Sequence, residues 1–282
     1  STGVNAGNIT YTSSNNAIAT VSSTGVVTAK KVGTVTITAT AGNDTSVKAT
    51  SSVTVTKGQV EIPTAISSLI YNGKEQTGVA EGEKYEVSGN KATNAGKYTA
   101  IISLKDAVNY EWSDGTTANK NIEWSIAQKQ VTAVLSAKDK TYDGTTTVIN
   151  GTVSLTGIVT GDVVTATGSF AFATSGVGQN KTVNVTGITL GGTNKANYVL
   201  KATTGTTTAN ITKAQLTTTY SGETITFGEK PSLSITTTGF VNGETAATAS
   251  GYKAPTLSLT DKDGKIVTVD DLKVDGSPYT GT

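Results

Sequence analysis

The side chains that could carry catalysis in this chain are carboxylates, because the sequence contains no histidine and no cysteine. Without those residue types the common nucleophile–base pairs of hydrolases cannot form. Two acidic pairs lie close in sequence, Glu81 with Glu83 and Asp270 with Asp271. Two carboxylates can hydrolyse a glycoside, but both pairs stand in polar, turn-like stretches where no pattern indicates a pocket. We therefore predict solvated surface residues, no catalytic site and no enzyme activity.

A metal site is the next chemistry to weigh, since Asp261, Asp263 and Gly264 look like the start of a calcium-binding loop. The later ligands and the terminal glutamate of such a loop are missing. Asp-Gly followed by alternating apolar residues is also a hairpin signal. We predict a hairpin here, with no metal and no other cofactor.

Aromatic side chains offer a third chemistry, the stacking of a sugar ring. Trp124 alternates with Ile122 and Ile126 along one strand, which predicts a core position. Trp112 follows Tyr110 by two residues and precedes an Asp-Gly turn, so these two residues are the candidate glycan contacts. Three further tyrosines, each beside a glycine turn, are predicted to pack inward and to bond backbone. They are Tyr71, Tyr142 and Tyr220.

The elements that would position these residues are strands, because threonine accounts for 56 of the 282 residues and glycine for 31. Threonine is β-branched, so it favours strands and disfavours helices, and its hydroxyl can face water. No stretch shows a sustained 3.6-residue apolar period. The composition predicts an all-β fold of exposed antiparallel sheet joined by tight turns.

Charge and hydropathy exclude two classes of partner. The net charge is +1 and only 15% of the residues are charged, whereas a nucleic-acid-binding face needs clustered lysine and arginine. No run of 18 apolar residues occurs, so we predict no membrane insertion. The chain begins at Ser1 without a signal peptide, which we interpret as a fragment of a longer protein.

A joint between strands occurs three times along the chain. In each copy an alternating strand is followed by a lysine, a glutamine and a new apolar strand, over residues 53–60, 124–131 and 209–216. A strand that ends and restarts within about three residues leaves no room for a flexible linker. A Tyr-x-Gly triplet follows each joint. This internal repeat predicts an array of small modules.

The first of these modules resembles a known family. Residues 13–15, 18–21, 25–29 and 33–39 are similar, in order, to the group 2 bacterial immunoglobulin-like (Ig-like) domain of intimin- and invasin-type surface proteins. Only eight residues precede the matching strands, where the family has one or two strands more. We therefore predict an N-terminally incomplete module over residues 1–57.

The second and third modules resemble other bacterial Ig-like domains. Tyr-Asn-Gly at 71–73, residues 92–98 and Asn109-Tyr110 are similar to MBG-type modules, which predicts one such module over residues 58–128. Lys140–Thr146 is similar to the signature of the YDG-type module, which predicts that type over residues 129–214.

The fourth module also resembles the MBG type, through Gly239–Thr245 and Gly251-Tyr252. It contains no later Asn-Tyr pair and no closing strand. We therefore predict a C-terminally incomplete module over residues 215–282.

The resemblance to surface Ig-like modules implies one covalent chemistry, a crosslink between a lysine amine and an asparagine side chain assisted by a buried carboxylate. Only a neutral amine attacks, so such a lysine must be buried. The candidates in the recurrent motifs are Lys74, Lys97, Asn94 and Asn109. The alternative interpretation is surface lysines and turn asparagines. An intact mass lower than the sequence mass by one ammonia per bond would indicate the crosslink.

Together these patterns predict tandem Ig-like β-sandwich modules arranged as an elongated rod. The resemblance implies an extracellular location, on a bacterial cell surface or in a secreted protein. The predicted function is a non-catalytic spacer or stalk that projects a distal domain, with other modules of the same chain as its partners. The alternative is an adhesive or carbohydrate-binding module that contacts glycans or a host surface protein through exposed aromatic residues.

Overall fold

The structure, a computed structural model, describes residues 6–221, 234–260 and 263–267. Within these ranges the regular elements are strands, apart from one single-turn 3-10 helix at Lys195–Asn197. The fold is therefore all-β, as the composition predicts. None of the described elements is a helix with the length and hydropathy needed to cross a membrane.

Among residues 6–126, twelve strands precede the second joint. They are β1 (Thr10–Ser13), β2 (Ala19–Val21), β3 (Val27–Ala29), β4 (Gly33–Thr40), β5 (Lys48–Val55), β6 (Gly58–Val60), β7 (Gln76–Thr77), β8 (Tyr85–Ser88), β9 (Lys91–Ala92), β10 (Gly96–Leu104), β11 (Tyr110–Trp112) and β12 (Lys120–Ile126).

Eleven strands follow it in the part of the chain that the structure describes. They are β13 (Lys129–Ser136), β14 (Lys140–Thr141), β15 (Thr152–Thr156), β16 (Thr165–Phe172), β17 (Gly178–Gly191), β18 (Tyr198–Leu200), β19 (Gly205–Thr212), β20 (Thr217–Tyr220), β21 (Ile235–Thr238), β22 (Leu259–Thr260) and β23 (Ile266–Val267).

The chain divides into two compact units. Unit 1 comprises the described residues up to Gln130 together with two later segments, Val159–Asp162 and Asn194–Val199. Unit 2 comprises the other described residues from Val131 onward.

The first sheet of unit 1 has the strand order β1–β4–β5 and is antiparallel throughout. Along β4, Val35 and Ile37 are buried while Thr34 and Thr36 are exposed. Successive side chains of a strand point to opposite faces, so this alternation places the apolar residues on one side. They form a core with Ala19 of β2.

A second core in unit 1 lies beneath the antiparallel sheet β12–β10–β8. Ile102 of β10 packs there with Val60 and Trp112. The last two come from β6 and β11, which pair in parallel although about fifty residues separate them. On β12, Trp124 and Ile126 are buried, which confirms the core position predicted for Trp124.

Unit 2 contains a four-stranded sheet with the order β14–β19–β17–β16. Its core consists of Phe172, Val183, Ala209 and Ile211, one residue from β16, one from β17 and two from β19. Beside this sheet, β13 pairs antiparallel with β15, and β20 pairs antiparallel with β21.

The strand bounds agree with short joints. Strand β5 ends at Val55 and β6 begins at Gly58, and β12 ends at Ile126 before β13 begins at Lys129. At the third joint four residues separate the end of β19 at Thr212 from the start of β20. The division into modules at residues 57, 128 and 214, and the rod arrangement, stay predictions.

Candidate functional site

The Tyr71–Gly73 triplet is held at the end of the last strand before the second joint. The backbone N–H of Tyr71 donates to the carbonyl of Ala127 at 2.9 Å, directly after β12. Ile70 also forms a parallel bridge with Ala127. The Asn72 side chain accepts from the N–H of Lys74 at 2.9 Å, an Asx turn that closes the loop. These bonds fix the Tyr71 ring beside the joint.

Two phenols and one carboxylate meet at this position in unit 1. The Tyr71 hydroxyl donates to Oδ2 of Asp162 at 2.8 Å, and the Tyr198 hydroxyl donates to the same oxygen. The backbone N–H of Val159 donates to the Tyr198 hydroxyl at 3.0 Å. The two rings meet edge to face, with centroids 5.4 Å apart. We call this arrangement the Asp162 cluster.

Burial raises the pKa of both phenols above the ordinary value of tyrosine. It raises the pKa of Tyr198 to about 12, and the hydrogen bond to Asp162 acts in the same direction. Burial likewise raises the pKa of Tyr71, again with the hydrogen bond to Asp162 as the next cause. Both hydroxyls are therefore neutral near pH 7 and free to donate, while one carboxylate oxygen accepts from both.

Three further hydrogen bonds fasten the segment that carries Tyr198. The Asn197 side-chain oxygen accepts from the N–H of Ala95 at 2.9 Å, and its amide nitrogen donates to Oδ1 of Asn94 at 3.2 Å. The Gln128 side chain donates to the carbonyl of Ala196 at 2.9 Å. Asn197 is only 4% exposed. A buried amide without hydrogen-bond partners would lower the stability of the fold. These bonds satisfy the Asn197 amide and hold its segment against Asn94, Ala95 and Gln128.

Alkaline pH is expected to weaken this site. The pKa of Tyr198 is raised in the folded state, so its stabilising contribution is complete below pH ~10 and is lost as pH rises toward about 12. The protection of the Asp162 N–H, which donates to Val159 in the same turn, relative to its intrinsic exchange rate should fall over that range in the wild-type chain. In a Tyr198→Phe variant the step should be smaller, because only Tyr71 then donates to Asp162. Exchange at Val35, in a different core, serves as the control, and an unchanged step in the variant would contradict the assignment.

The structure corrects the candidate glycan contact at Trp112. The ring is 0% exposed, and its Nε1 donates to the carbonyl of Ala118 at 2.8 Å. A sugar therefore has no ring face on which to stack. Tyr110 is half-buried, and its hydroxyl accepts from Nζ of Lys84 at 2.8 Å. Glycan binding by this chain stays a prediction, and Trp112 is not one of the residues that could contact the glycan.

The crosslink candidates lie in unlike environments. Lys74, Lys97 and Asn94 are exposed, whereas the proposed chemistry needs a buried amine. Asn109 is half-buried: its amide nitrogen donates to Asp106 at 2.7 Å, and its oxygen accepts from the N–H of Val32 at 3.0 Å. The exposure of both amines disfavours the crosslink, and intact mass remains its test.

The sequence did not indicate that one lysine side chain is buried. The side chain of Lys140 is 7% exposed, and its Nζ donates to Oδ1 of Asp143 at 2.6 Å. It also donates to the carbonyls of Thr145 and Thr147 at 2.8 and 3.0 Å. The ammonium thus closes the loop around the Tyr142–Gly144 turn. The sequence does contain a sign of this site, since a lysine stands two residues before Tyr142 but not two residues before Tyr71 or Tyr220.

Acid is expected to open this loop. The hydrogen bond from Lys140 lowers the pKa of Asp143 to about 2, so its stabilising contribution is complete above pH ~4 and is lost as pH falls to about 2. The protection of the Thr145 N–H, which donates to Asp143, relative to its intrinsic exchange rate should fall over that range. Asp143→Asn should remove the pH dependence. Asp114→Asn, which changes a carboxylate paired with Lys120, should leave exchange at Thr145 unaltered.

Metal and acidic sites gain no support among the described residues. In the part of the chain that the structure describes, no three or more acidic, histidine or cysteine side chains are placed to hold a metal ion. Glu81 and Glu83 are exposed, and Glu81 pairs with Lys91 at 3.6 Å. Asp261, Asp270 and Asp271 lie outside the described residues.

Comparison with known families confirms two of the resemblances. Residues 1–61 match the bacterial Ig-like domain (group 2), and residues 127–205 match the YDG domain. The chain thus contains one domain of each kind. The MBG type assigned to the other two modules stays a prediction. A search of curated proteins found no match.

Solved structures with some likeness include two from surface layer protein SbsC. Its domains 1–6 align over 72% of this chain and 34% of that chain, with 16% identity and a TM-score of 0.21. Its domains 4–9 align over 78% of this chain and 42% of that chain, with 15% identity and a TM-score of 0.18. This chain therefore spans less than half the length of either structure.

Proposed function

Since residues 1–61 match a group 2 bacterial Ig-like domain and residues 127–205 match a YDG domain, we propose that this chain is a spacer segment of a bacterial surface protein. In this proposal it is non-catalytic, lies outside the cell and holds a distal domain away from the surface. Its partners are the other modules of the same long chain.

The observation that carries the proposal is the construction of the joints. A spacer transmits position only if its modules cannot swing freely, and at the second joint only two residues separate the end of β12 from the start of β13. Next to that joint, the Asp162 cluster adds buried hydrogen bonds in which two tyrosine hydroxyls donate to one carboxylate oxygen. These features support a role through length and stiffness.

The adhesive alternative predicts binding of a glycan or a host protein through exposed aromatic residues. With Trp112 buried, the remaining candidate is Tyr110. A glycan array probed with the wild-type chain and with Tyr110→Ala tests it. Binding that Tyr110→Ala abolishes would favour adhesion, and absence of binding would favour the spacer.

Small-angle X-ray scattering tests the spacer. A compact globule of this length would have a radius of gyration of ~19 Å. Three or four sandwich modules end to end form a rod of ~100–150 Å, which corresponds to a radius of gyration of about 30–40 Å. We expect the larger value at both low and high protein concentration. A radius near that of the globule would overturn the proposal.

A further inference from the structure

The residue that Tyr71 contacts belongs to a sequence pattern that occurs twice. Gly157–Asp162 reads Gly-Ile-Val-Thr-Gly-Asp, and Gly239–Glu244 reads Gly-Phe-Val-Asn-Gly-Glu. Both follow the pattern Gly-x-Val-x-Gly-acid, which we call the acid turn. The first copy lies in the third predicted module and the second copy in the fourth.

The two acid turns share one backbone hydrogen bond and the conformation of their glycines, although Asn242 has a positive φ of +55° and Thr160 does not. The N–H of Asp162 donates to the carbonyl of Val159 at 3.1 Å, and that of Glu244 donates to Val241 at 3.0 Å. In both copies the two glycines adopt positive φ, with +92° and +95° in the first copy and +98° and +73° in the second. Side chains rarely adopt this conformation, so the glycines of the pattern are required by the turn.

The Tyr-x-Gly triplet also recurs with one geometry. Tyr142 N–H donates to the carbonyl of Thr212 at 2.8 Å, at the end of β19, as Tyr71 does at the end of β12. Lys140 and Thr141 pair in parallel with that strand end. Tyr71 and Tyr142 thus each lie against the end of the strand that leads into the next joint.

Triplet and acid turn meet in both copies, each time within one compact unit. The Tyr142 hydroxyl donates to Oε1 of Glu244 at 2.5 Å, across 102 residues, and the Tyr71 bond to Asp162 spans 91 residues. A Cβ on Gly144 would lie 2.5 Å from Asn242. On Gly73 it would lie 2.7 Å from Val159. The tyrosine hydroxyl donates the hydrogen bond, and the absence of a side chain on the glycine allows the acid turn to approach closely.

We propose that the Tyr-x-Gly triplet and the acid turn are two halves of one docking contact, by which a module recognises the next one. The triplet Tyr220–Gly222 is a third copy of the first half. Its phenol is 53% exposed, whereas Tyr71 is 3% exposed. Its partner is then an acid turn of a further module of this type. The inference deepens the proposed spacer, because it specifies how consecutive modules are joined.

A double-mutant cycle in the full chain tests the pairing. Tyr71→Phe should raise the opening equilibrium at the acid turn, measured by amide exchange at Asp162, about tenfold. In an Asp162→Ala background the same substitution should change nothing, because the acceptor is already gone. Tyr85→Phe, which removes a hydroxyl bonded to Ala80, is the control and should leave exchange at Asp162 unchanged.

An extended chain tests the third triplet. A second copy of residues 129–214 appended after Thr282 places its acid turn at a separation from Tyr220 that lies between the two observed spans. The Tyr220 ring resonance, assigned with Tyr220→Phe, should shift in this chain. It should return to its original position when only the appended aspartate is changed to alanine. Identical Tyr220 spectra for the two extended chains would overturn the third contact.

The two proposals can fail separately. Additive effects of Tyr71→Phe and Asp162→Ala, in a chain whose scattering still shows a rod, would overturn the docking contact and leave the spacer. Strong coupling in a chain that scatters as a compact globule would do the reverse. If the appended copy does not fold, the double-mutant cycle in the original chain still tests the contact between Tyr71 and Asp162.

Discussion

Replacing Trp112 with alanine is expected to lower the free energy of unfolding of unit 1 by about 3–5 kcal/mol. The side chain is fully buried among Val60 and Ile102, and its Nε1 bond to Ala118 would be lost with the ring. The cavity left behind is bordered by strands fixed in two sheets, so it cannot collapse fully. Urea denaturation followed by the fluorescence of Trp124 measures the effect.

Ile101→Ala is the matched control for Trp112→Ala, since Ile101 is 46% exposed and stands next to the buried Ile102. We expect a change within about 1 kcal/mol. A Trp112→Ala variant with wild-type stability and lost glycan binding would show that the ring acts at the surface. That outcome would contradict the buried position and revive the adhesive alternative.

Replacing Gly78 with alanine is expected to cause the second large loss of stability. A Cβ there would lie 1.9 Å from ring atoms of Trp124, far inside van der Waals contact. Neither partner can retreat easily. The Gly78 N–H and carbonyl are bonded to Asn90 and Ile66 at 2.7 Å, and the indole N–H donates to Gly89. We expect Gly78→Ala to cost at least the ~1–3 kcal/mol typical of an overfilled core.

Gly176→Ala provides the control for this substitution, because nothing lies within 4 Å of a Cβ at that position. Its unfolding free energy should equal that of the wild type within about 0.5 kcal/mol. The Gly78→Ala variant should also show altered near-ultraviolet circular dichroism, since Trp124 packs against Tyr98 with centroids 4.7 Å apart. An unperturbed spectrum with unchanged stability would contradict the contact.

Local periodicity explains which core residues were predictable. Val35 and Ile37 on β4, like Trp124 and Ile126 on β12, alternate with polar residues, and each pair is buried. Such alternation depends only on the geometry of a single strand, in which every second side chain faces the same way. No knowledge of distant residues is needed to interpret it.

Trp112 shows where this reasoning stops. Strand β11 has only three residues, so it contains too little alternation to decide which face the ring occupies. The ring is buried because β11 pairs in parallel with β6 and thereby brings Val60 against it. That pairing joins segments about fifty residues apart, and nothing within Tyr110–Trp112 indicates it.

By itself the sequence determined the all-β fold, the closely spaced strands at the joints and the similarity of two segments to the bacterial Ig-like domain (group 2) and the YDG domain, because these depend on neighbouring residues. Tertiary structure alone decided that Tyr71 donates to Asp162, that Tyr198 shares the same oxygen and that Lys140 is buried. These contacts join residues whose distance along the chain is unrelated to their distance in space. Which carboxylate a phenol meets depends on how whole strands pair and pack.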